Sequence, residues 1–192
     1  MYPNIYVLDT ETTGLGGYEQ GDVIVEIGIA RVDMQRKKVY PELGRLVRQP
    51  LTQSQRTSWV FEHTDLTPGE VMSSPWSHSS IRLALAAYFD KTFTAYNVEF
   101  DFGRYLMHPP WHFCPNLAPC IKETAAKLYN DGRWFTAQEA YDLLCPDNPA
   151  NVPDGREQHR ALSDAVLEGH ILLAMLEDDP DVMAAYIGAC CR

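Results

Sequence analysis

The chain has 192 residues, of which 45% are hydrophobic and 22% are charged, the balance of an ordinary globular protein. This length corresponds most simply to a single domain that buries its own core without disulfide bridges or a structural metal. No apolar run reaches the roughly 18 residues that a membrane-spanning helix needs, so the sequence predicts no such span.

The formal net charge of −10 at pH 7 argues against capture of nucleic acid by bulk electrostatic attraction. The basic residues are unevenly placed, however, because seven of the 16 Lys and Arg residues lie between positions 31 and 56. We favour a solvated hairpin surface for this segment over a patch that tracks phosphates. Divalent ions can supply positive charge locally, so an acidic chain remains compatible with a nucleic-acid substrate.

The five cysteines show no C-x-x-C spacing, which argues against both a disulfide framework and a zinc site. The first residues lack the basic segment of a secretory signal peptide. Together these features predict reduced thiols and a cytoplasmic location.

In chain order, the first half of the sequence predicts strands and the second half predicts mostly helices. Apolar runs predict strands at 5–8, 23–32 and 39–47, and the turns between them suggest an antiparallel meander. The next predicted elements are a helix, a short strand and a helix, at 77–88, 93–96 and 100–107. Helical patterns follow at 122–129, 136–144 and 161–176. This order predicts a three-layer α/β domain with a mixed sheet flanked by helices.

Two carboxylates, Asp9 and Glu11, follow the first predicted strand. Side chains at i and i+2 of a strand point to the same face, so both acids would converge on one point. Two carboxylates about 4 Å apart repel by roughly 4 kcal/mol near a protein surface, unless a proton or a cation lies between them. A purely structural strand-end role is the alternative. The small residues Thr12, Thr13 and Gly14 favour a ligand site, because they let backbone N–H groups approach a ligand closely.

Four further polar residues are ambiguous when each is taken alone. Asp101 follows a predicted strand, where open α/β sheets bind ligands, but it also suits the first turn of a helix. Asn97 would either cap that helix or orient neighbouring loops. Asp164 falls off the apolar stripe of the last predicted helix, so its default interpretation is a surface acid, and His159 before it would be a loop residue.

Taken together, these blocks resemble the DEDDh exonucleases, the RNase T-like branch of the ribonuclease-H-like superfamily, which includes the proofreading subunit of bacterial replicative DNA polymerase. The first motif is Leu-Asp-Thr-Glu-Thr-Thr-Gly-Leu at 8–15, followed by the strand motif Val-Glu-Ile-Gly at 25–28. The second is Ala-Tyr-Asn-Val-Glu-Phe-Asp at 95–101, and the third is His-Arg-Ala-Leu-Ser-Asp-Ala at 159–165. A tyrosine branch of the family has Tyr where this chain has Arg160, so His159 indicates the histidine branch.

The resemblance implies a ribonuclease-H-like fold in one exonuclease domain over residues 1–192, with the motifs at about 4–176 and a helical tail at 177–192. It implies that two Mg²⁺ or Mn²⁺ ions are held by oxygen ligands, and that a histidine acts as the general base. The implied catalytic residues are Asp9, Glu11, Asp101, His159 and Asp164, and all of them except His159 would hold the ions. Thr12, Thr13 and Asn97 would bind substrate.

The implied reaction is 3′→5′ cleavage of DNA at single-stranded or mismatched 3′ ends, releasing nucleoside 5′-monophosphates. Trimming of RNA 3′ ends is the main alternative, and the resemblance leaves open a DNA polymerase or a second copy of the chain as a partner. A non-catalytic binding module is disfavoured because neither the acids nor the histidine are lost. A calcium-binding domain is disfavoured because the acids are not gathered in one short loop.

Two segments depart from the family pattern. The segment 63–67 only partly resembles the substrate-contacting loop of the family, with Asp65 where Gly is usual. The segment 107–119 is rich in Pro, Trp and His and has no counterpart. Both departures concern the choice of substrate and leave the chemistry unchanged.

Overall fold

A single mixed sheet organises the chain. The structure is a computed structural model that describes residues 2–147 and 152–191. The strands are β1 (Asn4–Thr12), β2 (Ile24–Asp33), β3 (Lys38–Leu46), β4 (Thr92–Thr94) and β5 (Asn116–Leu117), in the order β3-β2-β1-β4-β5. The first three strands pair antiparallel, whereas β4 runs parallel to both β1 and β5. The predicted meander and the predicted mixed sheet are both confirmed.

Helices flank both faces of this sheet. They are α1 (Trp59–His63), α2 (Pro68–Ser73), α3 (His78–Ala86), α4 (Ile121–Tyr129), α5 (Ala137–Leu144), α6 (Ala161–Asp178) and α7 (Pro180–Cys190). A π-helix spans Glu99–Leu106, and the N–H of Met107 continues its wide hydrogen-bond pattern by donating to the Phe102 carbonyl. Within residues 2–147 and 152–191, no helix has both the length and the apolar character that crossing a bilayer requires.

The alternation of side chains along β1 divides the core into two layers. Ile5 and Val7 pack into one buried cluster with residues of α4, α5, α6 and α7. Tyr6 and Leu8 point the other way and pack with residues of α3 and the π-helix. The sheet therefore lies between two helical layers, which confirms the predicted three-layer α/β fold.

The N-terminus of α6 lies directly against β2 because Gly28 has no side chain. A Cβ atom at Gly28 would lie 2.1 Å from the carbonyl carbon and oxygen of Ala161, the first residue of α6. Gly28 is also the partner of Asp9 in the β1–β2 ladder. The close approach thus places the start of α6 beside the acidic end of β1.

Several elements differ from their predicted bounds. β1 continues to Thr12, because β2 pairs with it as far as Ile24, so Asp9 and Glu11 lie within the strand. The elements α1, α2 and β5 have 5, 6 and 2 residues, too few to show a hydrophobic period. At the C-terminus, α7 buries Tyr186 in the same cluster as Ile5, so the helix in the predicted tail packs against the core.

The segment 107–119, which lacked a counterpart in the family pattern, contributes to the core. Trp111 and Phe113 are buried with Phe93 and Phe102, and the Phe93 and Phe113 rings meet edge to face at 5.3 Å. The aromatic residues of this segment therefore have a packing role on the α3 side of the sheet.

The basic segment 31–56 is largely the β2–β3 hairpin, as the favoured interpretation predicts. Arg31 donates to Glu42 at 2.6 Å, and Arg36 donates to Asp33 at 2.8 Å. Lys37 pairs with Glu177 of α6 at 2.9 Å. Acids of the hairpin and of α6 thus meet these three charges.

We expect Gly28→Ala to lower the free energy of unfolding by about 1–3 kcal/mol or more, because the added methyl group overlaps the backbone of α6. Gly188→Ala in α7 is the control. A Cβ there meets no atom within 4 Å, and replacing a helical glycine stabilises by about 0.5–1 kcal/mol. Urea unfolding of both variants tests this, and a Gly28→Ala variant as stable as the wild type would contradict the close packing.

Candidate active site

The first two candidate acids lie side by side on the α6 face of β1. Asp9 is opposite Gly28 and Glu11 is opposite Glu26 in the antiparallel ladder with β2. Asp9 and Glu11 are half-buried and separated by one residue, so both carboxylates point to the same side of the sheet. This part of the prediction from the strand period agrees with the structure.

Asp101 reaches the same edge of the sheet from the π-helix. The strand before it, β4, runs parallel to β1, so the carboxyl ends of the two strands meet at one edge. The Asn97 carbonyl accepts the N–H groups of Phe100 and Asp101 and begins the helix. The Asp101 side chain is only 3% exposed and accepts a 2.7 Å hydrogen bond from the Thr10 hydroxyl.

Asp164 lies in the first turn of α6 and is 3% exposed, so its default interpretation as a surface acid is wrong. Its Oδ1 accepts the N–H of Gln158 at 2.8 Å and its Oδ2 accepts the N–H of Arg160 at 3.1 Å. The residue between these two donors, His159, has a left-handed backbone with φ of 50°. Asp164 therefore holds the turn that presents the imidazole.

Three of the predicted residues share a potential metal site. Single ligand atoms of Glu11, His159 and Asp164 all lie within 4.8 Å of one another. The charge of Asp101 is close enough to raise the pKa of Glu11, and the charges of Asp101, Glu11 and Asp164 raise the pKa of Asp9. The structure thus brings together the five residues that the sequence proposed as catalytic.

Burial raises the pKa of every acid in this cluster. Burial, followed by the repulsion of Asp164, raises the pKa of Glu11 to about 8. Burial also raises the pKa of Asp101 and of Asp164 to about 7, although hydrogen bonds from Thr10 and from backbone N–H groups act in the opposite direction. The pKa of Asp9 is raised well above its ordinary value by burial and then by neighbouring acids.

Sequence reasoning missed a further buried acid, Glu168, which is 4% exposed and lies one turn beyond Asp164 on α6. It accepts the N–H of Tyr96 at 3.2 Å, which ties α6 to the end of β4. Of the neighbouring charges, that of Glu168 has the largest effect in raising the pKa of Asp9. The spacing of four residues from Asp164 was the available signal, because such residues share a helix face.

The donor set fits a hard divalent cation. Carboxylate oxygens are the ligands that Mg²⁺ and Mn²⁺ prefer, and thiols are not. Burial and the negative charge of neighbouring acids make it harder for Asp9 and Glu11 to lose their protons. A cation bound among the acids would offset this repulsion. Asp9, Glu11, Asp101 and Asp164 are therefore suitable metal ligands by their chemistry and their placement.

The predicted substrate-binding threonines lie in the connection between β1 and β2. The Thr12 hydroxyl donates to the Gly14 carbonyl at 2.8 Å. The Thr13 N–H donates to the Val23 carbonyl, and the Thr13 hydroxyl accepts the Val23 N–H, each at 3.0 Å. These bonds hold the connection in place. The Thr13 N–H, which the sequence predicted to be available to a ligand, is already bonded to the Val23 carbonyl.

A cavity of about 450 Å³ opens beside Glu11. Its apolar lining includes Leu15, which is 75% exposed, Trp59, which is 54% exposed, and Phe100. The Trp59 ring stacks on His63 at 4.8 Å and meets the His159 ring edge-on at 5.2 Å. Trp59 gave no signal in the sequence, because the short helix that carries it was not predicted.

Comparison with known proteins supports the motif assignment. A model of the RNase T family, described as exonuclease, matches residues 6–172 of the chain. A search of curated protein sequences finds no match.

Solved structures share the fold at low sequence identity. Exonuclease X in complex with 5′-overhanging duplex DNA is 22% identical, with a TM-score of 0.69 over 97% of this chain and 99% of that chain. The nuclease domain of 3′hExo, a DEDDh family member bound to rAMP, is 15% identical, with a TM-score of 0.64 over 92% and 93%. E. coli exonuclease I with a dA16 oligonucleotide is 16% identical, with a TM-score of 0.63 over 95% of this chain and 42% of that chain.

The match to the family spans most of the chain and includes every one of the clustered residues Asp9, Glu11, Asp101, His159 and Asp164. It also agrees with the carboxylate-rich donor set, since this family consists of hydrolases that depend on divalent metal. The chain therefore belongs to the RNase T family of exonucleases.

Proposed function

We propose that residues 1–192 form one exonuclease domain that removes nucleotides in the 3′→5′ direction from single-stranded or mismatched DNA ends. It would use two Mg²⁺ or Mn²⁺ ions and release nucleoside 5′-monophosphates. The observation that carries the proposal is the meeting of Glu11, Asp164 and His159 within 4.8 Å, at the edge where Asp9 and Asp101 also lie. Residues from β1, the π-helix and α6 meet there, which supports a functional site over a chance cluster of acids.

Asp9, Glu11, Asp101 and Asp164 would hold the cations. When bound, such ions neutralise the charge of the scissile phosphate and favour both attack by water and departure of the 3′-oxygen. The protein fixes the carboxylates beforehand through Thr10, which donates to Asp101, and through the N–H groups that Asp164 accepts. This preorganisation lowers the cost of ordering the site when substrate binds.

His159 is proposed as the general base. Its ring is placed beside Glu11 and Asp164 and packs against the edge of the Trp59 ring. From that position a ring nitrogen would accept the proton of the attacking water, and the neighbouring carboxylates would stabilise the imidazolium that results.

The cavity beside Glu11 is proposed to hold the terminal nucleoside. Its volume of about 450 Å³ lies in the range of sites for small ligands, roughly 300–1,000 Å³. Leu15, Trp59 and Phe100 offer apolar surfaces for a base, and Glu11 at the cavity wall places that base next to the acids that would hold the cations. A pocket for one nucleoside next to the acids favours cleavage at a chain end over cleavage within a chain.

A DNA substrate is our first proposal and RNA is the alternative. Exonuclease X and exonuclease I were solved with DNA, whereas a 3′-exonuclease of the same fold was solved in recognition of a histone mRNA stem-loop. Parallel digestion of single-stranded DNA, duplex DNA with a mismatched 3′ end and short RNA, each with Mn²⁺ and then with EDTA, separates these possibilities. Faster hydrolysis of RNA would replace the DNA proposal, and no hydrolysis of any strand would contradict both.

We expect Asp9→Asn to abolish hydrolysis and His159→Asn to lower kcat by roughly 10²–10⁴-fold, as for loss of a general base. Asparagine suits the left-handed backbone at this position, so the change tests the imidazole itself. His112→Asn is the matched control, because exposed His112 has a similar φ of 49°. Single-turnover rates on a 5′-labelled strand measure the effect, and full activity of His159→Asn would exclude His159 as the base.

We expect Trp59→Ala to raise KM by about tenfold or more, because stacking of one base on an aromatic ring contributes roughly 1–3 kcal/mol. Trp134→Ala provides the control, since Trp134 is also exposed but packs over Lys122 of α4. Steady-state kinetics on single-stranded DNA would show a raised KM only for the Trp59 variant. An unchanged KM for the Trp59 variant would contradict the proposal that this cavity binds the terminal nucleoside.

The charge cluster also predicts how stability depends on pH without divalent ions. The folded-state pKa of Glu11, about 8, lies above its ordinary value, so the folded state binds this proton more tightly than the unfolded state. The stabilising contribution of this group is complete below the ordinary glutamate pKa of about 4.3 and is lost as pH rises through 8.

We therefore expect the stability advantage of Glu11→Gln over the wild type to grow from pH 5 to pH 8 when no divalent ion is present. Glu177→Gln, a change at the ion pair with Lys37, controls for the altered net charge. Thermal unfolding of the three proteins in EDTA measures this trend. An advantage that does not vary with pH would show that burial and the neighbouring acids do not raise the pKa of Glu11.

A further inference from the structure

A buried carboxylate outside the set of metal ligands holds the turn that carries His159. Glu26 lies on β2 opposite Glu11 and is 5% exposed. Its Oε2 accepts the Arg160 Nε at 3.0 Å and the Ala161 N–H at 3.1 Å, and its Oε1 accepts the second Arg160 nitrogen at 2.9 Å. One side chain thus binds both the side chain and the backbone that directly follow His159.

The backbone around His159 is therefore fixed by two buried acids. Asp164 accepts the N–H groups of the residues before and after His159, and Glu26 accepts the N–H of Ala161. The left-handed backbone of His159 is unfavourable for a residue with a Cβ atom, so the surrounding contacts must maintain it. Asp164 binds the turn from α6, whereas Glu26 binds Arg160 and Ala161 from β2. Glu26 therefore attaches the residues that follow His159 to the sheet.

Three N–H groups of the Arg160 guanidinium bind protein acids. Nε and one terminal nitrogen bind Glu26, and the other terminal nitrogen lies 3.4 Å from Asp65. A phosphate that displaced Glu26 from Arg160 would leave the buried charge of Glu26 unpaired. The planar fork of arginine suits this two-point contact, and lysine would provide only one of its bonds.

We propose that Glu26 and Arg160 are positioning residues for the reaction: the ion pair between buried Glu26 and half-exposed Arg160 holds the His159 imidazole at Glu11 and Asp164. The inference rests on the proposed function, in which His159 is the base. Outer partners that orient a catalytic group typically contribute 10–100-fold to activity. Removing the pair should therefore lower kcat while leaving KM little changed.

The test compares Arg160→Met with Arg36→Met in single-stranded DNA hydrolysis. Both changes remove one arginine from an ion pair of similar length, but Arg36 pairs with Asp33 at the far end of the hairpin. We expect Arg160→Met to lower kcat by roughly 10–100-fold with KM within about twofold, and Arg36→Met to change neither. Glu26→Gln, which keeps the shape of the side chain, should lower kcat in the same way, and thermal unfolding checks that each variant is folded.

The decisive comparison repeats Arg160→Met and Glu26→Gln in the His159→Asn background. If the pair acts through the imidazole, each change should alter the residual rate by less than about twofold once the imidazole is absent. An equal fold loss in both backgrounds would overturn the proposal, as would a raised KM with a weaker dependence on salt, the sign of a lost phosphate contact. Failure of the proposed function is distinct, because it would appear as full activity of His159→Asn alone.

Discussion

Mutual repulsion among buried carboxylates is the constraint on which this structure depends. The fold draws Asp9 and Glu11 from β1, Asp101 from the π-helix and Asp164 from α6 to one edge of the sheet, where burial raises the pKa of each. Such a cluster is unfavourable by itself and becomes favourable when cations lie among the acids. Since a net charge of −10 offers no general attraction for nucleic acid, the same cations would also supply the local positive charge that a phosphate needs.

The cluster can persist because the elements around it are tightly held. Gly28 lets the start of α6 touch β2, Glu26 binds the first residues of that helix, and Asp164 binds the turn before it. Asp164 thus has two uses, as a candidate metal ligand and as the acceptor that shapes the turn of His159. Replacing Asp164 would relieve repulsion among the acids, but it would also leave two backbone N–H groups without their acceptor. The second effect is destabilising.

The sequence predicted the three-layer architecture and the convergence of the candidate residues, because strong periodic patterns and short motifs carry that information. It misjudged what depends on tertiary placement. A helical wheel assigns Asp164 to the surface because the wheel considers only α6 itself. In the fold, the first turn of α6 lies against the edge of the sheet, so Asp164 is buried. Glu168 shares that face and was overlooked for the same reason. Trp59 lies on a five-residue helix, too short for a periodic signal, and only the fold brings its ring against His159.

Titration of the protein with Mn²⁺ near pH 7.5, followed by calorimetry and by the electron paramagnetic resonance signal of the bound ion, tests the central claim most directly. The account predicts two bound Mn²⁺ ions per chain, release of protons as the carboxylates take up metal, and loss of this binding in Asp9→Asn. Binding of no Mn²⁺ by the wild type, or binding that Asp9→Asn leaves unchanged, would contradict the account.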